Sequence, residues 1–116
     1  YLQSQLFRAA RLVVDTGMHA EGWSREQAIG YMARTTGQNV ETVTTEVERY
    51  AVWPGQACSY MVGRLEIDRL RDKGRAALGP KFDIKRFHDM VLENGALPLA
   101  VLAREADDWI AKERAR

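Results

Sequence analysis

A chain of 116 residues carries material for one domain, and 46% hydrophobic with 28% charged residues is the composition of a globular protein with a real core. Seventeen basic against sixteen acidic residues leave a formal net charge of +1, so there is no electrostatic case for nucleic acid or an acidic membrane surface as partner. The single cysteine, Cys58, excludes an internal disulfide, and no apolar run approaches the roughly 20 residues a bilayer span needs.

Helical periodicity dominates and no alternating strand pattern emerges. The opening Tyr1-Leu2-Gln3-Ser4 already reads as helix without an initiator methionine, so the sequence is expected to be a piece of a longer protein. The first helix runs from Leu2 to Met18 or His19, with Leu2, Leu6, Ala9, Ala10, Val13 and Gly17 as its expected buried stripe. Ser24 with Gln27 forms a capping box for the second helix, and Trp23 supplies the apolar residue of a staple. That helix carries Ala28, Ile29, Met32 and Ala33 and stops at Thr36-Gly37. Asn39 caps a third through Val40, Val43 and Val47 to about Tyr50, whose threonines and valines are weak helix formers that tertiary packing must hold.

Trp53-Pro54-Gly55 breaks the pattern, and a fourth helix from about Gln56 reaches Leu78 before Gly79-Pro80. Asp83 caps a fifth, with Ile84, Phe87, Met90, Val91 and Leu92 as its apolar set, and Asn94-Gly95 ends it. Pro98 opens a sixth, carrying Leu99, Leu102, Ala106, Trp109 and Ile110. The expected fold is a single all-α segment over residues 1–116, an array of about six helices joined by short loops.

Three places carry residues able to do chemistry. Arg11, Asp15 and His19 recur at i, i+4 and i+8 and form one narrow polar seam on a helix that is apolar nearly all round. A carboxylate one turn before an imidazole can accept its N–H and orient the ring for acid–base work. The plainer reading is a histidine at a helix C-terminus, with Asp15 paired to Arg11. In the second place, Arg49-Tyr50 is followed by the Trp-Pro-Gly break and then by Gln56, Ser59 and Tyr60. Free N–H groups at the new helix's start favour an anion or a carbonyl oxygen, Tyr60 could point its hydroxyl there, and Arg49 could clamp a carboxylate. The plainer reading is a structural corner with Arg49 paired to Glu46 or Glu48. The third is His88 beside Asp89, read as a half-buried structural position. Arg64, Arg69, Arg71, Lys73 and Arg75 alternate with Glu66, Asp68 and Asp72, a solvated face rather than a nucleic-acid patch. No His-Glu-x-x-His, phosphate loop or nucleophile elbow is present, so the chain offers no complete metal or hydrolytic motif of its own.

Several blocks in order resemble one bacterial family: Arg11-Leu12-Val13-Val14-Asp15-Thr16-Gly17-Met18-His19 with Gly22-Trp23-Ser24, then Glu46-Val47-Glu48-Arg49-Tyr50, Pro54-Gly55-Gln56-Ala57, Ser59-Tyr60, Phe87-His88-Asp89 and Gly95-Ala96-Leu97-Pro98-Leu99. The family is domain-of-unknown-function family 885, whose full-length members resemble helical, gluzincin-like zinc peptidases. The resemblance implies the C-terminal, substrate-side part of such a fold, inactive alone, with the metal-binding half upstream. Zinc is then expected in the full-length protein and no cofactor in this segment. Glu21-Gly22-Trp23 has the letters of an upstream family motif but lies in a different block, so no ligand role passes to Glu21.

By the same analogy Tyr60 and His19 are the candidate catalytic residues, with Tyr60 stabilising the oxyanion. Arg49 and Gln56 are candidate substrate-binding residues, Asp15 and Arg11 orienting ones. The implied partners are the remaining half of the same protein and a peptide substrate, with association of copies through exposed apolar surface a further expectation. A secreted or lipoprotein-anchored location is what the family suggests. The alternative from another class is a non-catalytic helical domain with a structural or binding role.

Overall fold

The computed structural model describes all of residues 1–116 and contains six α-helices, two short 3-10 turns and no strand. The helices are α1 (Leu2–His19), α2 (Arg25–Thr36), α3 (Val40–Val52), α4 (Ser59–Leu78), α5 (Ile84–Glu93) and α6 (Leu99–Ala115). The 3-10 turns are Gln56–Cys58 and Gly79–Lys81. The all-α array of about six helices is what the periodicity predicts. Two compact units divide the chain, Tyr1–Val62 and Gly63–Arg116, and the division falls inside α4.

Local chemistry sets most boundaries. Ser24 Oγ accepts from Gln27 N at 3.1 Å while Gln27 Oε1 accepts from Ser24 N at 2.8 Å, a reciprocal capping box. Asn39 accepts from Thr42 N and Asp83 from Lys85 N, both at 2.8 Å. Gly37 ends α2 in the left-handed conformation at φ 68°, where a side chain would be strained. Helix α3 runs two residues past Tyr50, to Val52.

The core of the first unit is Ala10, Val14, Ala28, Met32, Val43, Val47, Tyr50 and Ala57. Val43 and Val47 are fully buried, and burial worth about 1.5–3 kcal/mol each offsets the poor helix propensity of α3. The stripe of α1 differs from the one hydrophobicity picks out. Leu2 is 80% exposed, Leu6 and Val13 also face solvent, and the buried positions are Ala10, Val14, Asp15 and Gly17. Small residues win because α1 is approached closely: a Cβ built on Gly17 would sit 2.5 Å from Trp23 Cδ2. Trp23 also stacks against Tyr31 with ring centroids 5.4 Å apart.

In the second unit Leu70, Phe87, Met90, Leu102 and Ala106 form the core. Phe82, Phe87 and Trp109 contact one another with centroids 5.9–6.2 Å apart, and Gly74 leaves room for Phe82 and Trp109. Glu113 is buried and accepts from Arg86. His88 is exposed rather than half-buried, because Phe87 and Met90 take the core face of α5. On α4, Arg69 pairs with Glu66 at 2.7 Å and Arg71 with Asp68 at 3.1 Å, the solvated face expected.

Gly17→Ala should force the Trp23 ring off α1 and cost about 1–3 kcal/mol, as overpacking does. A lowered melting temperature together with a shifted tryptophan emission would show it.

Candidate functional site

The residues singled out in the sequence fall into the first unit and centre on Glu46. The spacing Glu46-x-x-Arg49-Tyr50 puts three polar side chains on one turn of α3, and α1 supplies Arg11 opposite them. Glu46 Oε2 accepts from Arg11 Nη2 at 2.9 Å, Arg49 Nη2 at 3.0 Å and the Tyr50 hydroxyl at 2.9 Å. Arg11 Nε donates to the Tyr50 oxygen at 3.2 Å, closing a ring of bonds. Arg49 reaches across the chain break and donates from Nη1 to Gln56 Oε1 at 2.6 Å. Sequence spacing missed the Arg11–Glu46 link, because its partners lie far apart along the chain.

Burial sets the electrostatics of this cluster. It pushes the Glu46 carboxyl up, but the bonds from Arg49, Tyr50 and Arg11 outweigh it and hold the net value below the ordinary 4.5. Burial first, and then the bond to Glu46 and its charge, drive the Tyr50 phenol well above its usual range. Tyr50 therefore stays a neutral donor at any physiological pH. The bond to Glu46 likewise raises the Arg49 guanidinium further.

One turn along α1, Asp15 is buried and both its oxygens accept from Gly55 N at 3.1 Å. The N–H group at the break is thus satisfied by an anion, as expected for a helix start, but the anion is the protein's own carboxylate. Pro54 has no N–H to offer, and Gly55 takes φ 81°, which suits glycine. The pairings of the seam differ from expectation. Arg11 bonds Glu46 instead of Asp15. His19 Nε2 bonds the Tyr50 carbonyl at 3.0 Å and lies 3.8 Å from Asp15 Oδ1, so the hydrogen bond that orients the ring comes from α3. A carbonyl only accepts, so Nε2 carries a proton. Asp15 positions the corner by hydrogen bonding and keeps only an ion-pair distance to His19.

Tyr60 opens the first turn of α4 and is 46% exposed. Its ring lies beneath two guanidiniums, with Arg11 Cζ 5.1 Å and Arg8 Cζ 5.8 Å from the centroid. Arg11 also covers Phe7 at 4.9 Å. The six candidate residues are therefore in one unit, with Arg11, Arg49, Gln56 and Tyr60 linked through direct contacts or Glu46. Arg8 joins them unforeseen; its position one turn before Arg11 was the available signal.

No group of three or more His, Cys, Asp or Glu side chains is gathered to hold a metal ion. Asp15 is engaged by Gly55 N, and His19, with Nε2 on a carbonyl, belongs to no such group of candidate ligands. Burial, and then the charge of Asp15, push the Cys58 thiol up, which keeps it a poor nucleophile.

A family model described as a bacterial protein of unknown function (DUF885) matches residues 1–105. No curated protein matches the chain. Among solved structures, one described as "the putative lipoprotein from Colwellia psychrerythraea" superposes with a TM-score of 0.94 at 54% identity. The match covers 96% of this chain and 19% of that one, so this chain spans about a fifth of that protein's length. No helix here is long and apolar enough to cross a membrane.

Glu46→Gln should cost about 1–3 kcal/mol at neutral pH by weakening three charge-assisted bonds. Because the folded carboxyl lies below its ordinary value, its stabilisation is present above about pH 4.5 and is lost as pH falls through the folded value. Melting curves from pH 7 to pH 3 should show the gap between the two proteins closing on the acid side.

Proposed function

The chain belongs to the bacterial family of unknown function DUF885, and on that premise we propose that it forms the substrate-side wall of a zinc-dependent peptidase. The observation that carries this reading is the half-exposed Tyr60 phenol held under the Arg8 and Arg11 guanidiniums. A neutral phenol donates one hydrogen bond, and two cations at its ring favour negative charge developing beside it. That is what a scissile carbonyl needs as it becomes an oxyanion. In this reading Tyr60 donates to the carbonyl oxygen and His19 faces the substrate with its second ring nitrogen. Arg49 and Gln56 bind the peptide, while Asp15 and Arg11 keep the corner and the cluster in place. In this reading the metal would be held by residues elsewhere in the intact protein, where it would polarise the carbonyl. The lipoprotein description of the Colwellia protein fits a secreted or envelope-anchored address.

A second reading, a non-catalytic helical domain with a structural or binding role, draws on a specific observation. Asp15, Arg49 and Gln56 spend their hydrogen bonds inside the chain, tying the Trp53-Pro54-Gly55 corner to α1 and α3.

In the intact protein, Tyr60→Phe should lower kcat by about 10²–10³ while metal content and melting temperature stay unchanged. Full turnover in that variant would remove Tyr60 from the reaction and favour the structural reading.

A further inference from the structure

The cluster around Tyr60 holds more positive charge than its internal partner can neutralise. Arg8 and Arg11 lie over the Tyr60 ring, and Arg49 is joined to Arg11 through Glu46, so three guanidiniums belong to one connected cluster. Glu46 is the carboxylate that meets them, paired with Arg11 and Arg49. Arg8 bonds only the backbone oxygen and hydroxyl of Ser4. Three cations against one anion leave a local surplus of positive charge in a chain that is almost neutral as a whole.

Space lies beside this surplus. Arg8 and Arg11 help line an open groove of about 490 Å³ with Phe7, Gln38 and Thr42, where the Arg11 side chain, held by Glu46, keeps 15% of its surface exposed. Phe7 offers an apolar face under Arg11, and Gln38 and Thr42 add polar side chains to the lining. The chemistry the cluster prefers is already displayed by Glu46, whose oxygen collects two guanidinium N–H groups and a phenol. Planar forks of N–H donors match a carboxylate better than a neutral amide.

We propose that Arg8 and Arg11 form a subsite for a free carboxylate of a peptide, contributed by its C-terminus or by an acidic side chain. As a statement about substrate class this rests on the peptidase reading, although binding itself does not need turnover. In this arrangement the carboxylate is anchored by the same two guanidiniums that lie over Tyr60, so the chain selects peptides that carry a negative charge near the phenol.

The test is a titration of the intact, metal-free protein with three short peptides of one sequence, read by calorimetry. One has a free C-terminus, one a C-terminal amide, and one a C-terminal amide with a glutamate side chain. The free acid should bind about tenfold or more tighter than the plain amide. Recovery of that advantage by the glutamate amide would assign the subsite to acidic side chains, and its failure to recover would assign it to the C-terminus. Arg8→Gln, at a half-buried position hydrogen-bonded only to Ser4, should shrink the preference several-fold with the fold intact. Arg11→Gln should abolish it. Equal binding of acid and amide, no binding of either amide or acid, or a preference untouched by Arg8→Gln would overturn the subsite. Turnover of the same peptides by the zinc-loaded protein separates the two ideas. Cleavage without charge preference rejects the subsite and keeps the peptidase, while selective binding without cleavage keeps the subsite and rejects the peptidase.

Discussion

One carboxylate oxygen organises the first unit. Glu46 Oε2 receives Arg11 from α1 and Arg49 and Tyr50 from its own helix, and Arg49 passes the connection on to Gln56 past the break. A partly buried charge of this kind is costly unless every lone pair and N–H around it is used. Three donors on one Glu46 oxygen offset much of that cost, and the same geometry delivers Arg11 to the Tyr60 ring. Stability and any chemistry at Tyr60 therefore share their supports, which is why residues that look catalytic in the sequence are also structural here.

Asp15 does a related job with a neutral partner. Buried beneath the corner, it gives both oxygens to a single N–H, that of Gly55. The result is a chain reversal between α3 and α4 held from outside itself, by a helix distant in sequence. The small residues around it, Ala10, Ala57 and Gly17, let the backbones and the Trp23 ring come close enough for such contacts to form.

Features governed by neighbours a few residues apart were legible in the sequence. The Ser24–Gln27 box, the Asn39 and Asp83 caps, the stops at Gly37 and Gly95, and the ion pairs along α4 all follow from local spacing. The family was legible as well, because its motifs lie in order along the chain and the family model spans residues 1–105. The buried face of α1 was legible only at Ala10 and Gly17, since Leu2, Leu6 and Val13 outrank alanine and glycine on any hydrophobic scale while close packing selects the smaller side chains. Spacing rightly gathered Arg11, Asp15 and His19 on one seam, but their partners come from α3 and the corner. Which carboxylate an arginine takes depends on which helices meet, and no window of a single helix contains that information.

The Pro54-Gly55 corner carries an evolutionary consequence. Proline removes one donor, glycine supplies the next at a positive φ, and Asp15 waits at hydrogen-bonding distance for that N–H alone. A residue inserted or deleted between Arg49 and Gln56 would carry the donor away from Asp15 and the amide away from Arg49 in the same event. Related chains should therefore hold the length of this connection fixed while varying its exposed side chains, Val52 and Trp53 among them.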